Sequence, residues 1–235
     1  MEKYISINKK FWNRKYSAPN VESFAFRLKP KLLDKYIPKN KKLKVLEFGC
    51  GEGSNMNHLV KTYNYDGYGV DISEESIRVC KKKINKKKFK LIKPKPDKND
   101  NFFNQKFDLI VSFEVLYYLS NEDLKNRLIS FNKMLRPKGY VFFTMMGTKN
   151  EYWKFFSNKK KNKFGLTQVD LGVDKDYRKR QKHPIYYHYI NFTKNESELK
   201  KKFNIFKPLN IGFYDQSLEN NYRNGFHFTF FGKKK

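Results

Sequence analysis

A short run of glycines and acids contains the residue types that could bind a nucleotide. Residues 47–53 read Glu-Phe-Gly-Cys-Gly-Glu-Gly, after an apolar segment and before a helix-like one. Glycines let a chain turn tightly and approach a ligand closely, and the unpaired N–H groups of a following helix favour negative groups. Asp71 lies 20 positions after Gly51, at the end of the next apolar segment. A carboxylate at that place can accept hydrogen bonds from both hydroxyls of a ribose, so these residues predict a site for a nucleoside-containing ligand.

Three kinds of nucleotide loop place glycines between a strand and a helix. A phosphate-binding P-loop requires a Gly-Lys-Ser/Thr triplet, and none follows residues 47–53. A dinucleotide fingerprint reads Gly-x-Gly-x-x-Gly, but Ser54 occupies the position of its last glycine. The third pattern, an acid followed by Gly-x-Gly-x-Gly, fits with Glu47 as the acid. The sequence therefore favours the third pattern.

The segments around this loop alternate between strand-like and helix-like runs. The sequence predicts strands at residues 44–48, 68–71, 89–92, 107–113, 140–145, 206–214 and 226–231. It predicts helices at residues 56–62, 73–84, 124–131 and 196–203. The fourth and fifth strands are dominated by apolar residues, which is typical of parallel strands buried on both faces. Strand–helix alternation at this spacing predicts an α/β fold with a parallel sheet.

The same motifs, in the same order, resemble those of the class I S-adenosylmethionine-dependent methyltransferases. Residues 47–53 resemble the family's first motif, and residues 69–73 resemble the second, whose acid holds the ribose. Residues 107–119 resemble the fourth strand with the segment under the methionine moiety, and residues 135–140 resemble the turn before strand five. The resemblance covers about residues 40–147. It implies a Rossmann-like, seven-stranded, mostly parallel sheet flanked by helices, with an insertion after strand five.

We predict one methyltransferase domain that spans the whole chain. An N-terminal helical cover spans residues 1–40, and a cofactor-binding core spans residues 41–147. A substrate-side insertion follows at residues 148–190, and a C-terminal helix with two closing strands occupies residues 191–235. The predicted insertion interrupts the alternation with charge runs, tyrosines and histidines. We expect it to lie over the active face.

The resemblance implies S-adenosylmethionine as the cofactor, S-adenosylhomocysteine as the product, and no metal. Asp71 would hold the ribose and Ile72 would pack on the adenine. Asp97 would meet the adenine amino group, although residues 94–98 depart from the family's usual pattern. The other predicted cofactor contacts come from the N-terminal segment, the glycine loop and the end of strand four: Tyr16, Glu47, Gly49, Cys50, Gly51, Phe113 and Glu114.

Methyl transfer is an in-line displacement, for which a hydroxyl acceptor needs a base and an ionised acceptor needs only orientation. The predicted bases are His188 and His183, which flank residues 184–187. If this segment is extended, the odd spacing allows only one of the two to face the site, and His188 is preferred. His58 is predicted to be structural and His227 to lie far from the chemistry. The residues predicted to contact the acceptor are Tyr118, Tyr186 and Tyr187.

The positive charge of the chain is carried mainly by lysine. Fifty-one Lys and Arg residues oppose 23 Asp and Glu, for a net charge of +28, and 43 of the 51 are Lys. Arg rather than Lys reads phosphates and bases with two hydrogen bonds at once. Enrichment in Lys and Asn is also what an AT-rich genome imposes on a protein surface. The charge therefore favours an anionic partner only weakly, and nucleic acid is the less favoured choice.

The sequence favours a small acceptor. The Asn/Asp-Pro-Pro-Tyr/Phe motif of amino methyltransferases that act on adenine, cytosine or glutamine is missing after strand four, where residues 112–115 read Ser-Phe-Glu-Val. We predict transfer to an oxygen of an anionic or phosphate-bearing molecule, such as a sugar nucleotide or a bacterial capsule or polysaccharide precursor. Two alternatives stay open: an RNA methyltransferase that uses the lysine-rich surface, and a non-catalytic cofactor-binding partner subunit.

The cysteines and the apolar runs predict a cytoplasmic protein without membrane contact. Cys50 and Cys80 do not make a disulfide framework, and residues 1–12 do not resemble a signal peptide. No stretch approaches the roughly 18 consecutive apolar residues of a membrane span.

Overall fold

The structure is a computed structural model. It describes residues 3–17, 29–39, 42–84, 88–93, 95–173, 175, 187–215 and 225–235. Two predicted site residues, His183 and Tyr186, lie outside these ranges. Within them, no helix is both long enough and apolar enough to cross a membrane.

The described residues form nine strands, seven of which build one sheet. The strands are β1 Lys44–Phe48, β2 Asp66–Asp71, β3 Phe89–Leu91, β4 Phe107–Ser112, β5 Leu135–Met146, β6 Thr167–Asp170, β7 Tyr187–Ile190, β8 Phe206–Asp215 and β9 Phe226–Lys234. The large sheet has the order β3-β2-β1-β4-β5-β9-β8. β9 runs antiparallel to both of its neighbours, β5 and β8, and the other neighbouring pairs are parallel. The prediction of a seven-stranded, mostly parallel sheet is confirmed.

Helices connect the strands and cover both faces of the sheet. Those in the described residues are α1 Lys3–Ser17, α2 Lys29–Tyr36, α3 Ser54–Tyr63, α4 Glu74–Lys83, α5 Asn121–Met134, α6 Glu151–Phe156 and α7 Glu196–Lys202. α4 begins as its sequence predicts, because the Ser73 hydroxyl accepts a hydrogen bond from the Ser76 N–H and acids fill the first turn. Ser120 caps α5 in the same way through the Asp123 N–H.

The central strands place successive side chains in two different cores. Ile110 and Phe143 are fully buried on the face that packs against α5 and α7. Their neighbours Leu109 and Phe142 are fully buried on the face that packs against α2, α3 and α4. Because alternate residues of a strand face opposite sides, a central strand covered on both faces must be apolar at almost every position. Burying each such side chain contributes about 1.5–3 kcal/mol to the free energy of unfolding.

β5 begins earlier than the sequence predicts. Leu135 pairs with Phe107 on β4, and the next pair joins Tyr140 to Leu109. Residues 136–139, predicted as a turn before the strand, therefore form a bulge within it, where Lys138 has a φ of 62°. The pairing of Leu135 is a long-range contact, and the local residue pattern does not show it.

α1 lies along the carboxyl edge of the sheet. The Asn13 side-chain oxygen accepts a hydrogen bond from the Glu74 N–H at the start of α4, at 3.1 Å. The Tyr4 hydroxyl donates to the Asp123 carboxylate in the first turn of α5. α4 and α5 follow the carboxyl ends of β2 and β4 in the chain. These contacts therefore place α1 across the edge where ligands bind in open α/β sheets.

The segment between β5 and α7 contains more regular structure than its sequence indicates. It holds α6 and a separate two-stranded antiparallel sheet in which Val169 of β6 pairs with His188 of β7. Isolated bridges join Ser157 to Val169, and Gly147 to Thr193. The small sheet is thereby attached to the end of β5.

Candidate active site

The glycine loop turns sharply at the carboxyl end of β1. Gly49, Gly51 and Gly53 have φ angles of 76°, 52° and 80°, in the left-handed region that favours glycine. The N–H groups of Gly49 and Cys50 donate to the Val70 carbonyl on β2, at 2.8 and 3.0 Å. The loop is therefore tied to the neighbouring strand before α3 begins.

Asp71 ends β2 and holds the loop from the other side. Its carboxylate accepts hydrogen bonds from the Gly51 N–H at 2.9 Å and from the Ser73 N–H at 2.8 Å. Burial raises the pKa of Asp71, whereas the backbone donors of Ser73 and Gly51 lower it. The following residue, Ile72, is half-buried. Asp71 is thus both a buried acid at the strand end and a support for the glycine loop.

Glu47 and Cys50 lie beneath the same loop. Glu47 is buried, and its Oε1 accepts a hydrogen bond from the Asn55 amide on α3, at 2.8 Å. The Cys80 thiol, on α4, donates to the Gly51 carbonyl at 3.0 Å. Burial raises the pKa of the Cys50 thiol, and a hydrogen bond with the Cys80 thiol raises it further. The two cysteines are free thiols that support the loop.

Tyr16 reaches the loop from α1. Its hydroxyl lies against Gly51, so closely that a Cβ at Gly51 would collide with it. Its ring stacks on Trp12, with 6.0 Å between the ring centroids. Burial raises the pKa of Tyr16 well above its usual value, and the charge of Asp71 raises it further. The structure thus brings Tyr16 to the glycine loop, as the sequence predicts.

Phe113 and Glu114 follow β4, and both contact Tyr214. Phe113 is buried in the core, with its ring 5.8 Å from Phe142 and 5.6 Å from Tyr214. Glu114 has a φ of 60°, and its Oε1 accepts a hydrogen bond from the Tyr214 hydroxyl at 2.9 Å. The predicted contact of Phe113 with the cofactor stays a prediction.

Asp97 lies on an exposed loop after β3 and takes part in a local turn. Its Oδ1 accepts a hydrogen bond from the Asn99 N–H at 2.7 Å, and its own N–H donates to the Asp100 carboxylate. Asp100 also forms an ion pair at 3.0 Å with Arg127, whose side chain is fully buried. Burial lowers the pKa of Arg127, and the charge of Asp100 raises it. Arg127 therefore anchors this loop to α5, a role that the sequence did not indicate.

An aromatic cluster surrounds the predicted base. His188 is 3% exposed on β7, and its ring centroid lies 4.1 Å from that of Phe11 and 6.1 Å from that of Tyr118. Tyr118 in turn lies 5.6 Å from Trp12 on α1. The neighbouring Tyr187 is 44% exposed, since alternate residues of a strand face opposite ways. His188 and Tyr118 therefore meet beneath α1, and Tyr187 faces solvent.

Two further residues reach the edge from the closing strands. His227 pairs with Met146 at the carboxyl end of β5, contrary to the expectation that it lies far from the chemistry. Its ring stacks on Tyr214, with centroids 5.0 Å apart and planes 9° from parallel. β9 is antiparallel, so its first residues lie at the same edge as the last residues of β5. Only the strand pairing could show this.

A model of the methyltransferase domain family matches residues 19–204. The chain belongs to this family. With this fold, it is a class I S-adenosylmethionine-dependent methyltransferase, as the resemblance implied, and S-adenosylmethionine is its cofactor.

Two relatives and a solved structure extend the comparison. The chain is 30% identical over 172 residues to the uncharacterized protein RP028 of Rickettsia prowazekii, and the aligned region covers 66% of each protein. It is 27% identical over 142 residues to phosphoethanolamine N-methyltransferase of Plasmodium falciparum, and the aligned region covers 59% of this chain and 53% of that protein. These matches thus span about two thirds and about half of the relatives' own lengths. A SAM-dependent methyltransferase from Methanosarcina mazei shares the fold with a TM-score of 0.64 at 16% identity, over 86% of this chain and 96% of that one.

The residues at the edge fit this cofactor. A Cβ on Gly49 would collide with the side chain of Val115, so the tight packing of the loop at this position requires glycine. Asp71 would hold the ribose hydroxyls, and Glu47 with the loop would hold the amino-acid end. When bound, the cofactor supplies a methyl group on a positively charged sulfur. The chain's part is to position the acceptor in line and to exclude water.

We expect His188→Phe to slow methyl transfer and to leave cofactor binding unchanged. Phenylalanine keeps a ring between Phe11 and Tyr118 but removes both nitrogens, and losing a general base costs roughly 10²–10⁴-fold in rate. Turnover and the cofactor-induced rise in melting temperature measure the two effects. His58→Gln is the control. His58 lies on α3, where its Nε2 contacts the Asp34 carboxylate of α2 at 3.0 Å, and it is predicted to be structural. Normal turnover of His188→Phe would mean an ionised acceptor or another base.

Proposed function

We propose that this methyltransferase acts on a small, phosphate-bearing acceptor. The match to a phosphoethanolamine N-methyltransferase is the observation that carries the proposal, because the name of that relative specifies a small phosphate ester. The net charge of +28 supports an anionic acceptor as well. Sugar nucleotides and polysaccharide precursors belong to the same chemical class. The proposal covers a hydroxyl or an amine as the methyl acceptor, and oxygen was the expectation from the sequence.

Cations at the carboxyl edge support this proposal. Lys149 follows the end of β5 and is exposed, with its Nζ 5.6 Å from the centre of the Phe226 ring. Arg14 is exposed on α1, two residues before Tyr16. α1 also carries Phe11, whose ring packs on His188. We therefore propose that residues 148–190, together with α1, select the acceptor.

Formation of S-adenosylhomocysteine from paired acceptors tests this proposal. The purified chain is given phosphoethanolamine or a sugar nucleotide, and in parallel ethanolamine or the free sugar. We expect product only with the phosphorylated member of a pair, or at least about tenfold more of it, because one charge-assisted hydrogen bond contributes about 1.5–3 kcal/mol. Lys149→Gln should raise the KM for that acceptor and leave the cofactor-induced melting shift unchanged. Equal turnover of the neutral members would contradict the proposal.

An RNA methyltransferase is the second candidate, and the lysine-rich surface is the observation that favours it. Binding to nucleic acid weakens with salt, with a slope of roughly 0.9 log units per phosphate contact on duplex DNA. Binding to RNA that is weak and independent of salt would exclude this alternative. Methyl transfer to a small acceptor by the purified chain alone would exclude a non-catalytic partner subunit.

A further inference from the structure

The two cysteines of the chain meet beneath the glycine loop. Cys50 lies within the loop, Cys80 lies on α4, and the sequence contains no other cysteine. The Cys80 thiol donates a hydrogen bond to the Gly51 carbonyl at 3.0 Å, and the Cys50 sulfur lies 3.9 Å from the same oxygen. The two thiols are also hydrogen-bonded to each other. Two groups that can form a covalent bond are therefore in contact at the cofactor loop.

Two glycines make room for the two sulfur atoms. A Cβ on Gly69 of β2 would lie 2.9 Å from the Cys50 sulfur, and a Cβ on Gly53 would lie 3.0 Å from the Cys80 sulfur. Carbon and sulfur do not pack that closely, so side chains at these two positions would displace the thiols. Cys50 is 5% exposed and Cys80 is fully buried. The surroundings thus hold the pair together as one packed unit.

The backbone next to the pair is the loop itself. The Cys50 N–H donates to the Val70 carbonyl at 3.0 Å, and the Gly51 N–H donates to the Asp71 carboxylate at 2.9 Å. A disulfide bond is about 2.0 Å long, so its formation would draw the two sulfur atoms closer together than hydrogen-bonded thiols can come. It would also remove the thiol proton that Cys80 donates to the Gly51 carbonyl. Oxidation of the pair would therefore change the shape of the loop.

We propose that Cys50 and Cys80 form a reversible disulfide that prevents cofactor binding. The oxidant is a small-molecule disulfide. The thiolate of Cys50, the more exposed of the two, attacks one sulfur of the oxidant and expels the other as a thiolate. The Cys80 thiolate then attacks the Cys50 sulfur and expels the second half of the oxidant. Two electrons pass from the cysteines to the small disulfide, which leaves as two thiols that carry the two protons.

The cofactor and the disulfide should oppose each other. Burial raises the pKa of the Cys50 thiol, so little of the reactive thiolate exists while the loop is closed. The exchange therefore proceeds when the loop opens locally. Since the cofactor binds the closed loop, it protects the thiols. Coupling between two sites is reciprocal, so the cofactor must disfavour the disulfide by the same factor by which the disulfide weakens cofactor binding.

Equilibration of the full chain with oxidised and reduced glutathione tests the proposal. Mass spectrometry should show the loss of two hydrogens without added glutathione, and a non-reducing denaturing gel should show single chains. Calorimetry should show that the Kd of S-adenosylhomocysteine rises at least about tenfold on oxidation and returns on treatment with dithiothreitol. For a tenfold change in affinity, saturating S-adenosylhomocysteine should raise the reduction potential of the pair by about 30 mV. These measurements use no acceptor, so their outcome is independent of the function proposed above.

Cys80→Ser is the control, because serine keeps a hydroxyl that can donate to the Gly51 carbonyl but cannot form the disulfide. The Kd of this variant should be the same before and after treatment with oxidised glutathione, and Cys80→Ala replaces it if the serine variant does not fold. Weaker binding after treatment of either variant would show that an adduct, and not the disulfide, acts on the loop. That result would overturn the proposal. So would the absence of an internal disulfide in the unaltered chain, an unchanged Kd after its formation, or loss of the native circular dichroism spectrum on oxidation.

Discussion

Replacing Asp71 with asparagine should abolish the binding of S-adenosylmethionine at concentrations that saturate the unaltered protein. The carboxylate is proposed to accept two ribose hydrogen bonds, and each bond to a charged group contributes about 1.5–3 kcal/mol. Losing both lowers the affinity at least about 100-fold. An asparagine amide would also turn its NH2 toward the N–H of Gly51 or Ser73, because the carboxylate accepts from both. We therefore expect the glycine loop to loosen as well.

Thermal unfolding with and without cofactor measures this result. A ligand that binds only the native state raises stability by RT ln(1 + [L]/Kd), so the rise seen with the unaltered protein should vanish in Asp71→Asn. Asp66→Asn is the matched control, because Asp66 begins the same strand and contacts Lys44 and Lys88 at the opposite edge. Its cofactor-induced shift should persist. An undiminished shift in Asp71→Asn would show that another residue holds the ribose.

Gly49→Ala should destabilise the protein and weaken cofactor binding, because the glycine loop must move away from Val115. Gly49 has a φ of 76°, and a Cβ there would fall within the side chain of Val115. A left-handed backbone costs an alanine about 1–2 kcal/mol, and overpacking costs about 1–3 kcal/mol more. We expect the free energy of unfolding to fall by about 2–5 kcal/mol. The melting temperature should drop by about 2–4 °C per kcal/mol for a chain of this size.

Gly212→Ala provides the comparison for this substitution. Gly212 lies in β8, and its φ is not positive. The nearest atom to a Cβ there would be the Thr229 hydroxyl at 3.2 Å, which is a tight but adjustable contact. Circular dichroism and cofactor titration of the two variants separate a general effect of alanine from the specific effect at the loop. If Gly49→Ala kept its melting temperature and its cofactor affinity, the requirement for glycine beside Val115 would be wrong.

The site residues that lie close to one another in the chain could be predicted from the amino-acid sequence. The loop at residues 47–53 and Asp71 belong to one strand–helix–strand unit, and their relation depends on local turns and on a spacing of about 20 residues. The structure joins them through the hydrogen bond from the Gly51 N–H to the Asp71 carboxylate. The sequence named both His188 and Tyr187 as site residues, whereas the structure buries His188 and leaves Tyr187 44% exposed.

Residues far apart in the chain could not be assigned in this way. His227 reaches the edge only because β9 inserts antiparallel between β5 and β8, an order that the predicted strands leave open. The bond between Tyr214 and Glu114 spans 100 positions and depends on that same order. Arg127 is a charged residue that is fully buried against the rings of Phe48 and Phe102. No pattern in the neighbouring sequence indicates that burial.

The amino-acid sequence by itself predicted the fold class from the alternation of strands and helices. It indicated the family and the cofactor through the resemblance of its motifs, because a glycine loop and a strand-end acid are local features of the chain. The tertiary structure decided which side chains share the carboxyl edge. It placed α1 over the glycine loop, His188 beneath α1, and Tyr214 with His227 beside Glu114. Those contacts depend on strand order and register, which are set by packing across the whole sheet and not by any one segment.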